Sequence, residues 1–203
     1  MLDLSPYQAV IFDMDGTLID SMPSHLAAWQ QTAAAFDFPF EPEWFYQLGG
    51  QPTTKTAVML KAKYPIEASE ETLVQTKYGH YEAIEQKGSL IASTHQVLLS
   101  VLGKKKVAIG TGSRRIHADE LLSSNGVIDH FDAIVTANDV ENHKPAPDTF
   151  LQAADNMGVA PAKCVVFEDT LLGVRAAQAA GMDCYLVEHG EISRFIKAGE
   201  AVS

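Results

Sequence analysis

Two carboxylates at the point where a short apolar run stops constrain this chain more than any other feature. Ala9 to Phe12 reads Ala-Val-Ile-Phe and is followed by Asp13-Met14-Asp15-Gly16-Thr17. An apolar run of this length, bounded by a turn signal, reads as a buried strand. At strand period Asp13 and Asp15 lean to one side of the chain, and Gly16 permits a sharp turn where they emerge. Two acids at the end of a buried strand repel each other and lose solvation. Such a pair persists where a cation, a shared proton or hydrogen-bond donors compensate. Asp and Gly also end strands in ordinary turns, so the rest of the chain must decide between a chemical site and punctuation.

The chain has 203 residues, 46% of them hydrophobic and 20% charged, which suits a soluble globular protein with a sizeable core. Its net charge is −11, and the basic residues form one short run, Lys104 to Lys106. Nucleic-acid binding normally shows as a basic face, so no polynucleotide partner is expected. An anionic ligand would meet an opposing global field and depend on a few local cations and helix ends. Cys164 and Cys184 lie in apolar runs without metal or redox spacing and read as buried free thiols. The seven histidines form no His-Glu-x-x-His motif. No apolar stretch approaches the roughly 20 residues of a membrane span. Met1 to Pro6 is unlike a secretory signal. The expected setting is cytoplasmic, without a membrane partner.

After the first strand the pattern changes. Pro23 to Phe36, Glu41 to Leu48, Pro52 to Tyr64 and Glu70 to Gln86 read as helices, two of them opening on Pro, which suits a helix's first turn. They suggest a small four-helix unit at residues 21–90, inserted into a core made of residues 1–20 and 91–203. From Leu90 onward strands and helices alternate. Thr94 is placed to cap a helix through Leu102, followed by a strand at Lys106 to Gly110 and a helix at Ser113 to Gly126. Ala133 to Thr136 is a strand, Pro147 to Met157 a helix, Cys164 to Phe167 a strand and Thr170 to Ala180 a helix. Cys184 to Val187 is a strand, and Glu191 to Ala198 is expected as a last helix. Such alternation favours an α/β fold, a Rossmann-like parallel sheet with helices on both faces and ligands beyond the carboxyl ends of the strands.

Chemically useful residues fall at those ends. Asp13 and Asp15 end the first strand, Gly110-Thr111-Gly112-Ser113 the second, and Glu168-Asp169 the fourth, while Asn142-His143-Lys144-Pro145 follows the third. If the strands are parallel, these groups share one edge. Several acids suit a hard divalent cation such as Mg²⁺, which usually keeps substrate phosphate among its ligands. Thr111, Gly112 and Ser113 precede a helix whose free N–H groups can hold a phosphate, and Lys144 supplies a compact positive charge. Each part has a plainer reading: Thr111 and Ser113 as caps, Lys144 as a solvated lysine, Glu168 and Asp169 at a helix start. Gly110-Thr111-Gly112 lacks the third glycine of a dinucleotide fingerprint. The joint placement points to phosphoryl handling.

On these motifs the chain resembles the haloacid dehalogenase-like superfamily of phosphotransferases, in its β-phosphoglucomutase-like branch. The likeness is strongest to bacterial sugar-phosphate phosphatases of the fructose-1-phosphate phosphatase type. Asp13-Met14-Asp15-Gly16-Thr17 looks like the first motif, Thr111 the second, Lys144 the third and Glu168-Asp169 the fourth. The resemblance implies a Mg²⁺-dependent phosphatase with a helical cap and a small phosphorylated metabolite as ligand, as a monomer or weak homodimer. By the same resemblance Asp13 is the nucleophile and Asp15 the acid and base. Mg²⁺ would be held by Asp13, the Asp15 backbone carbonyl and Asp169, with Glu168 supporting, while Lys144 and Thr111 stabilise the transferring oxygens. Dehalogenation is disfavoured because Asp15 is present. Mutase action is disfavoured because Thr53 stands where an arginine clamp would fall. A binding-only regulator would need no nucleophile. Substrate selection is expected from His25 and Trp29, four apart on one helix face, and from the loop Gly49-Gly50-Gln51. Arg114 or Arg115, beyond Gly112 and Ser113, can meet a distal anion. Trp29 also suits a bundle core, and Lys77 is long enough to reach a substrate hydroxyl or carboxylate but reads better as part of a solvated helix face.

Overall fold

The computed structural model describes residues 2–201. Its centre is strand β1 (Ala9–Phe12), four residues with no solvent exposure on either face. The two-residue period of a strand divides their roles. Val10 and Phe12 enter one apolar cluster, with Val97 and Leu98 of α5 (Ala92–Val101) and Leu121 and Leu122 of α6 (Arg115–Ser124). Ala9 and Ile11 enter the opposite cluster, with Phe150 and Ala153 of α7 (Asp148–Met157) and Val174 and Ala177 of α8 (Leu171–Ala179). A buried aliphatic or aromatic side chain contributes about 1.5–3 kcal/mol, so β1 is held by both layers at once.

The sheet has six strands in the order β3-β2-β1-β4-β5-β6, with β2 at Lys106–Gly110, β3 at Ala133–Val135, β4 at Cys164–Glu168, β5 at Asp183–Glu188 and β6 at Glu191–Ile196. Strands β1 to β5 are parallel, as expected for alternating strands and helices, and β6 is antiparallel to β5. Phe12 is in register with Ile109 of β2 and Phe167 of β4, so the residues that follow emerge side by side at the carboxyl edge. The backbone bonds Asp13 N–H to Phe167 O (2.9 Å) and Thr111 N–H to Val135 O (2.9 Å) continue that alignment past the strand ends.

Two local expectations are corrected. The helix expected at Glu191 to Ala198 is strand β6. His189 and Gly190 both have positive φ (52° and 78°), and a two-residue turn of that hand sends the chain back antiparallel. Ile192, Phe195 and Ile196 favour strand, and Ile196 is buried opposite Cys184. Thr94 does not cap α5. Ile91 occupies that position, and the Thr94 hydroxyl donates to Thr17 O at 2.7 Å.

Between β1 and α5 lie α1 (Met22–Ala35), α2 (Pro42–Gln47), α3 (Thr53–Lys63) and α4 (Glu70–Glu82), which share a third apolar cluster around Trp29, Phe45, Leu60 and Leu73. α1 and α2 open on Pro, and the Ser69 hydroxyl accepts from Thr72 N–H to cap α4. The chain enters and leaves this helical insert side by side: Asp20 N–H donates to Ser89 O (2.9 Å) and Ile91 N–H to Leu18 O (2.9 Å).

Asp132, at the start of β3, ties two strands together. Its carboxylate accepts from Lys106 Nζ at 2.6 Å and Val107 N–H at 2.9 Å. Partial burial would raise its pKa, but these two donors outweigh it and hold the carboxyl below its ordinary value. The stability it adds is therefore present above about pH 4 and is lost as pH falls through the lower folded value. Asp132→Asn is expected to cost about 1 kcal/mol at pH 7. Urea unfolding at pH 7 and pH 3 should show that gap shrinking at the lower pH.

Candidate active site

At the carboxyl edge one ammonium stands between two carboxylates. Lys144 Nζ donates to Asp13 Oδ1 at 2.6 Å and to Glu168 Oε1 at 2.7 Å, and neither the lysine nor the glutamate side chain has any exposure. Burial alone would drive the Lys144 pKa down; the two anions reverse that and keep the ammonium charged. Glu168 also accepts from Thr170 N–H (2.7 Å) and Thr170 Oγ1 (2.9 Å), while Thr170 caps α8 by accepting from Gly173 N–H at 3.1 Å. Gly173 is required here, because a Cβ would collide with the Glu168 carboxylate. The sequence alternatives of a solvated Lys144 and of a helix start at Glu168 thus resolve into one network.

Asp13, Glu168 and Asp169 each offer a carboxylate oxygen, and these lie within 4.8 Å of one another. Burial, with Glu168 and Asp15 adding and Lys144 opposing, pushes Asp13 up to about 7. Burial and the neighbouring Glu168 and Asp13 carry Asp169 well above its ordinary value. Asp13 Oδ2 is buried and has no hydrogen-bond partner among the described residues. Crowded acids and an orphaned acceptor are what a hard cation would relieve, so these donors fit Mg²⁺. Asp169 is steadied by Thr17 Oγ1 (3.1 Å) and approached by the Tyr46 hydroxyl of α2 (3.4 Å).

Asp15 faces the helical insert. Its carboxylate accepts from Ser21 Oγ (2.6 Å), Ser113 Oγ (2.6 Å) and His25 Nε2 (3.2 Å), and Thr111 Oγ1 stands 3.4 Å away. Burial would raise its pKa, but His25 and the two serines hold it well below the carboxylate range. His25 is itself pushed down by burial and by Lys77, so the neutral ring donates through Nε2 and accepts Lys77 Nζ on Nδ1 at 2.9 Å. Lys77 was expected on a solvated face. It is 1% exposed, and burial drives it down to about 7 against the pull of Asp15 and Glu82. α6 begins at Arg115 with Arg114 at its cap position, which leaves the Ser113 hydroxyl free for Asp15.

A cavity of about 60 Å³ separates insert and core, lined by Asp15, His25, Trp29, Gly49, Gln51, Gly112, Ser113 and Arg114 together with Lys77, Tyr78 and His117. Trp29 stacks on Phe45 in the insert's core at 5.1 Å and also lines the cavity. Gly50 lies apart, above Lys144 and Thr170. Ser21, Tyr78 and His117 escaped the sequence reading, and Lys77 was favoured there as part of a solvated face. For Lys77, Tyr78 and Tyr81 the only sequence signal is their shared placement on an otherwise polar helix.

The loop at Gly49 to Gln51 meets the core backbone to backbone, since a Cβ on Gly112 would collide with Gly50 O. Gly112→Ala should prop this loop away while the core stays folded. Overpacking of about 1–3 kcal/mol corresponds to roughly 5- to 150-fold faster amide exchange at residues 49–53, measurable by hydrogen exchange.

Comparison with known proteins agrees with this arrangement. The chain matches the haloacid dehalogenase-like hydrolase family over residues 7–181. It is 38% identical to fructose-1-phosphate phosphatase YqaB of Escherichia coli (strain K12), over 87% of this chain and 94% of that protein. It is 31% identical to β-phosphoglucomutase of Bacillus subtilis (strain 168), over 91% and 84%. The crystal structure of β-phosphoglucomutase from Clostridium difficile superposes with a TM-score of 0.79 at 26% identity, covering 92% of this chain and 86% of that one. With the family matched across most of its length, its parallel sheet in place and its four motifs gathered on one edge, the chain belongs to the haloacid dehalogenase-like hydrolases.

Proposed function

We propose that this protein is a Mg²⁺-dependent phosphatase of small sugar phosphates of the fructose 1-phosphate kind, acting through an aspartyl-phosphate on Asp13. The observation that carries this reading is the state of Asp13: one oxygen is pinned by Lys144 and the other is buried without a partner, pointing to a group that waits for an electrophile. Attack by an Asp13 carboxylate oxygen on phosphorus would form the covalent intermediate and expel the sugar oxygen. Asp13, Asp169 and the Asp15 backbone carbonyl would hold Mg²⁺, with Glu168 behind them. When bound, that ion supplies the positive charge that lets an anionic nucleophile meet an anionic phosphoryl group.

The remaining steps fall to side chains already described. Asp15, ionised among its three donors, is in the form that takes a proton from water in the second half of the reaction, and those donors must slacken as it does so. For the first half it must carry a proton to the leaving oxygen. Lys77, able to give up a proton near neutrality, bonds His25, which bonds Asp15, so a donor chain runs from the insert to the acid. Lys144 and the Thr111 hydroxyl supply positive charge and a donor for the transferring oxygens. The cavity of about 60 Å³ holds a few waters and no sugar phosphate, so substrate enters when the insert lifts.

A phosphosugar mutase is the second reading, supported by the β-phosphoglucomutase likeness. Against it, Thr53 stands where a bidentate clamp on a second phosphate would be needed, and Arg114 is the guanidinium that lines the cavity. A binding-only regulator would have no use for a buried, unpartnered nucleophile. No helix among the described residues is long and apolar enough to cross a bilayer.

Phosphate release from fructose 1-phosphate, β-glucose 1-phosphate and 6-phosphogluconate, with Mg²⁺ and with EDTA, tests the proposal. Mg²⁺-dependent release with a clear ranking is expected, and Asp13→Asn should abolish it, by at least about 10³-fold. No release, together with isomerisation of β-glucose 1-phosphate in the presence of a bisphosphate primer, would establish the mutase. Lys77→Met should lower kcat by roughly 10²-fold while leaving Mg²⁺ affinity, read by calorimetry, unchanged.

A further inference from the structure

The groups that serve Asp15 from the insert, His25 on α1 and Lys77 on α4, must return to the same place each time the insert closes. The core carries a feature that can register them. Helix α6 and its cap present Arg114, His117 and Glu120 at a three-residue spacing, and all three meet the insert or its exit. The Arg114 guanidinium lies 4.8 Å from the Tyr78 ring, and Lys87 donates to Glu120 at 2.7 Å. His117 stands between them, 4% exposed, although its neighbour Ile116 is 64% exposed.

His117 does not touch Asp15. Its Nε2–H donates to Glu82 Oε1 at 3.1 Å, and its ring lies 4.9 Å from Tyr78 and 5.4 Å from Tyr81. Tyr81 is 1% exposed and stacks almost parallel on His25, with centroids 4.4 Å apart and an angle of 19°. A chain of ring contacts therefore runs from a core helix, through a residue of α4, to the imidazole on the acid. Burial lowers the His117 pKa, in keeping with a neutral ring packed among arenes.

We propose that His117 is a positioning residue: fixed in the core, its ring seats Tyr81 and, through Tyr81, holds the His25 imidazole on Asp15 when the insert is closed. Nothing in this role needs the imidazole to exchange a proton. It needs a flat ring of about that size at that place. The kinetic arm of the test rests on the phosphatase reading above, and the spectroscopic arm does not.

The experiment compares His117→Ala, His117→Phe, Tyr81→Leu and the double variant His117→Ala/Tyr81→Leu with the parent protein. Long-range ¹H–¹⁵N spectra report the His25 tautomer without substrate. The parent should show a single Nε2–H form, His117→Ala and Tyr81→Leu an averaged one, and His117→Phe the parent signal. With fructose 1-phosphate, His117→Ala and Tyr81→Leu should each lower kcat roughly tenfold with KM within about twofold. The double variant should fall no further than either alone, because both act through one contact, and His117→Phe should stay within about threefold of the parent. An unchanged His25 signal in folded His117→Ala, a His117→Phe as impaired as His117→Ala, or additive losses in the double variant would overturn the proposal. If no variant and no parent sample releases phosphate, the phosphatase reading fails, while the His25 signal still decides the role of His117.

Discussion

The site depends on one buried ammonium. Lys144 sits between Asp13 and Glu168 with no water contact of its own, and Asp169 lies against the same pair. Three carboxylates this close would not stay ionised in an apolar surround without it, as the upward pull on Asp13 and Asp169 shows. Removing one partner of such a network leaves uncompensated buried charge, typically at about 3–5 kcal/mol. Architecture follows from this need. The register of β1, β2 and β4 brings the strand ends level, Gly173 lets the Glu168 carboxylate pack onto α8, and the capping Thr170 satisfies its second oxygen. Stability and reactivity are bound to the same charges.

A second constraint concerns division of labour. The groups around Asp13 belong to the sheet edge, and the insert reaches them through the Tyr46 hydroxyl, 3.4 Å from Asp169. Asp15 is served differently: Ser21 lies where the chain enters the insert, His25 and Lys77 lie within it, and Ser113 lies on the core. The groups around Asp13 are thus assembled mainly by the sheet edge, whereas those around Asp15 come from the core and the insert together. Backbone contact at Gly112 and Gly50, and the rings gathered around His117 and Tyr81, are places where the insert meets the core.

Much of the sheet was legible from the chain because burial on both faces leaves an unmistakable pattern. Ala9 to Phe12 and Cys164 to Phe167 are continuous apolar runs ended by acids, and Gly158 closes α7 in the left-handed conformation. The strand taken for a helix, Glu191–Ile196, failed because its outward residues Glu191, Ser193 and Arg194 are polar and it lies at a sheet edge, where alternation is blurred. Its turn, His189-Gly190, carried the missing information. Thr94 looked like a cap because threonine favours that role, yet a tertiary partner, the Thr17 carbonyl, took its hydroxyl.

By itself the sequence determined which side chains emerge at strand ends: Asp13, Asp15, Thr111, Glu168 and Asp169 follow from local hydrophobic runs and the residues that stop them. Such features depend on neighbours along the chain. Only the tertiary structure decided what those groups face. Lys77 reads as one more charge on a polar helix, and becomes a buried donor with a lowered pKa because α1 and α4 pack together over Asp15. His117 reads as one residue on an amphipathic helix, and is buried because two tyrosines from a distant segment close over it. Desolvation and contact between remote segments set these properties, and neither has a one-dimensional signature.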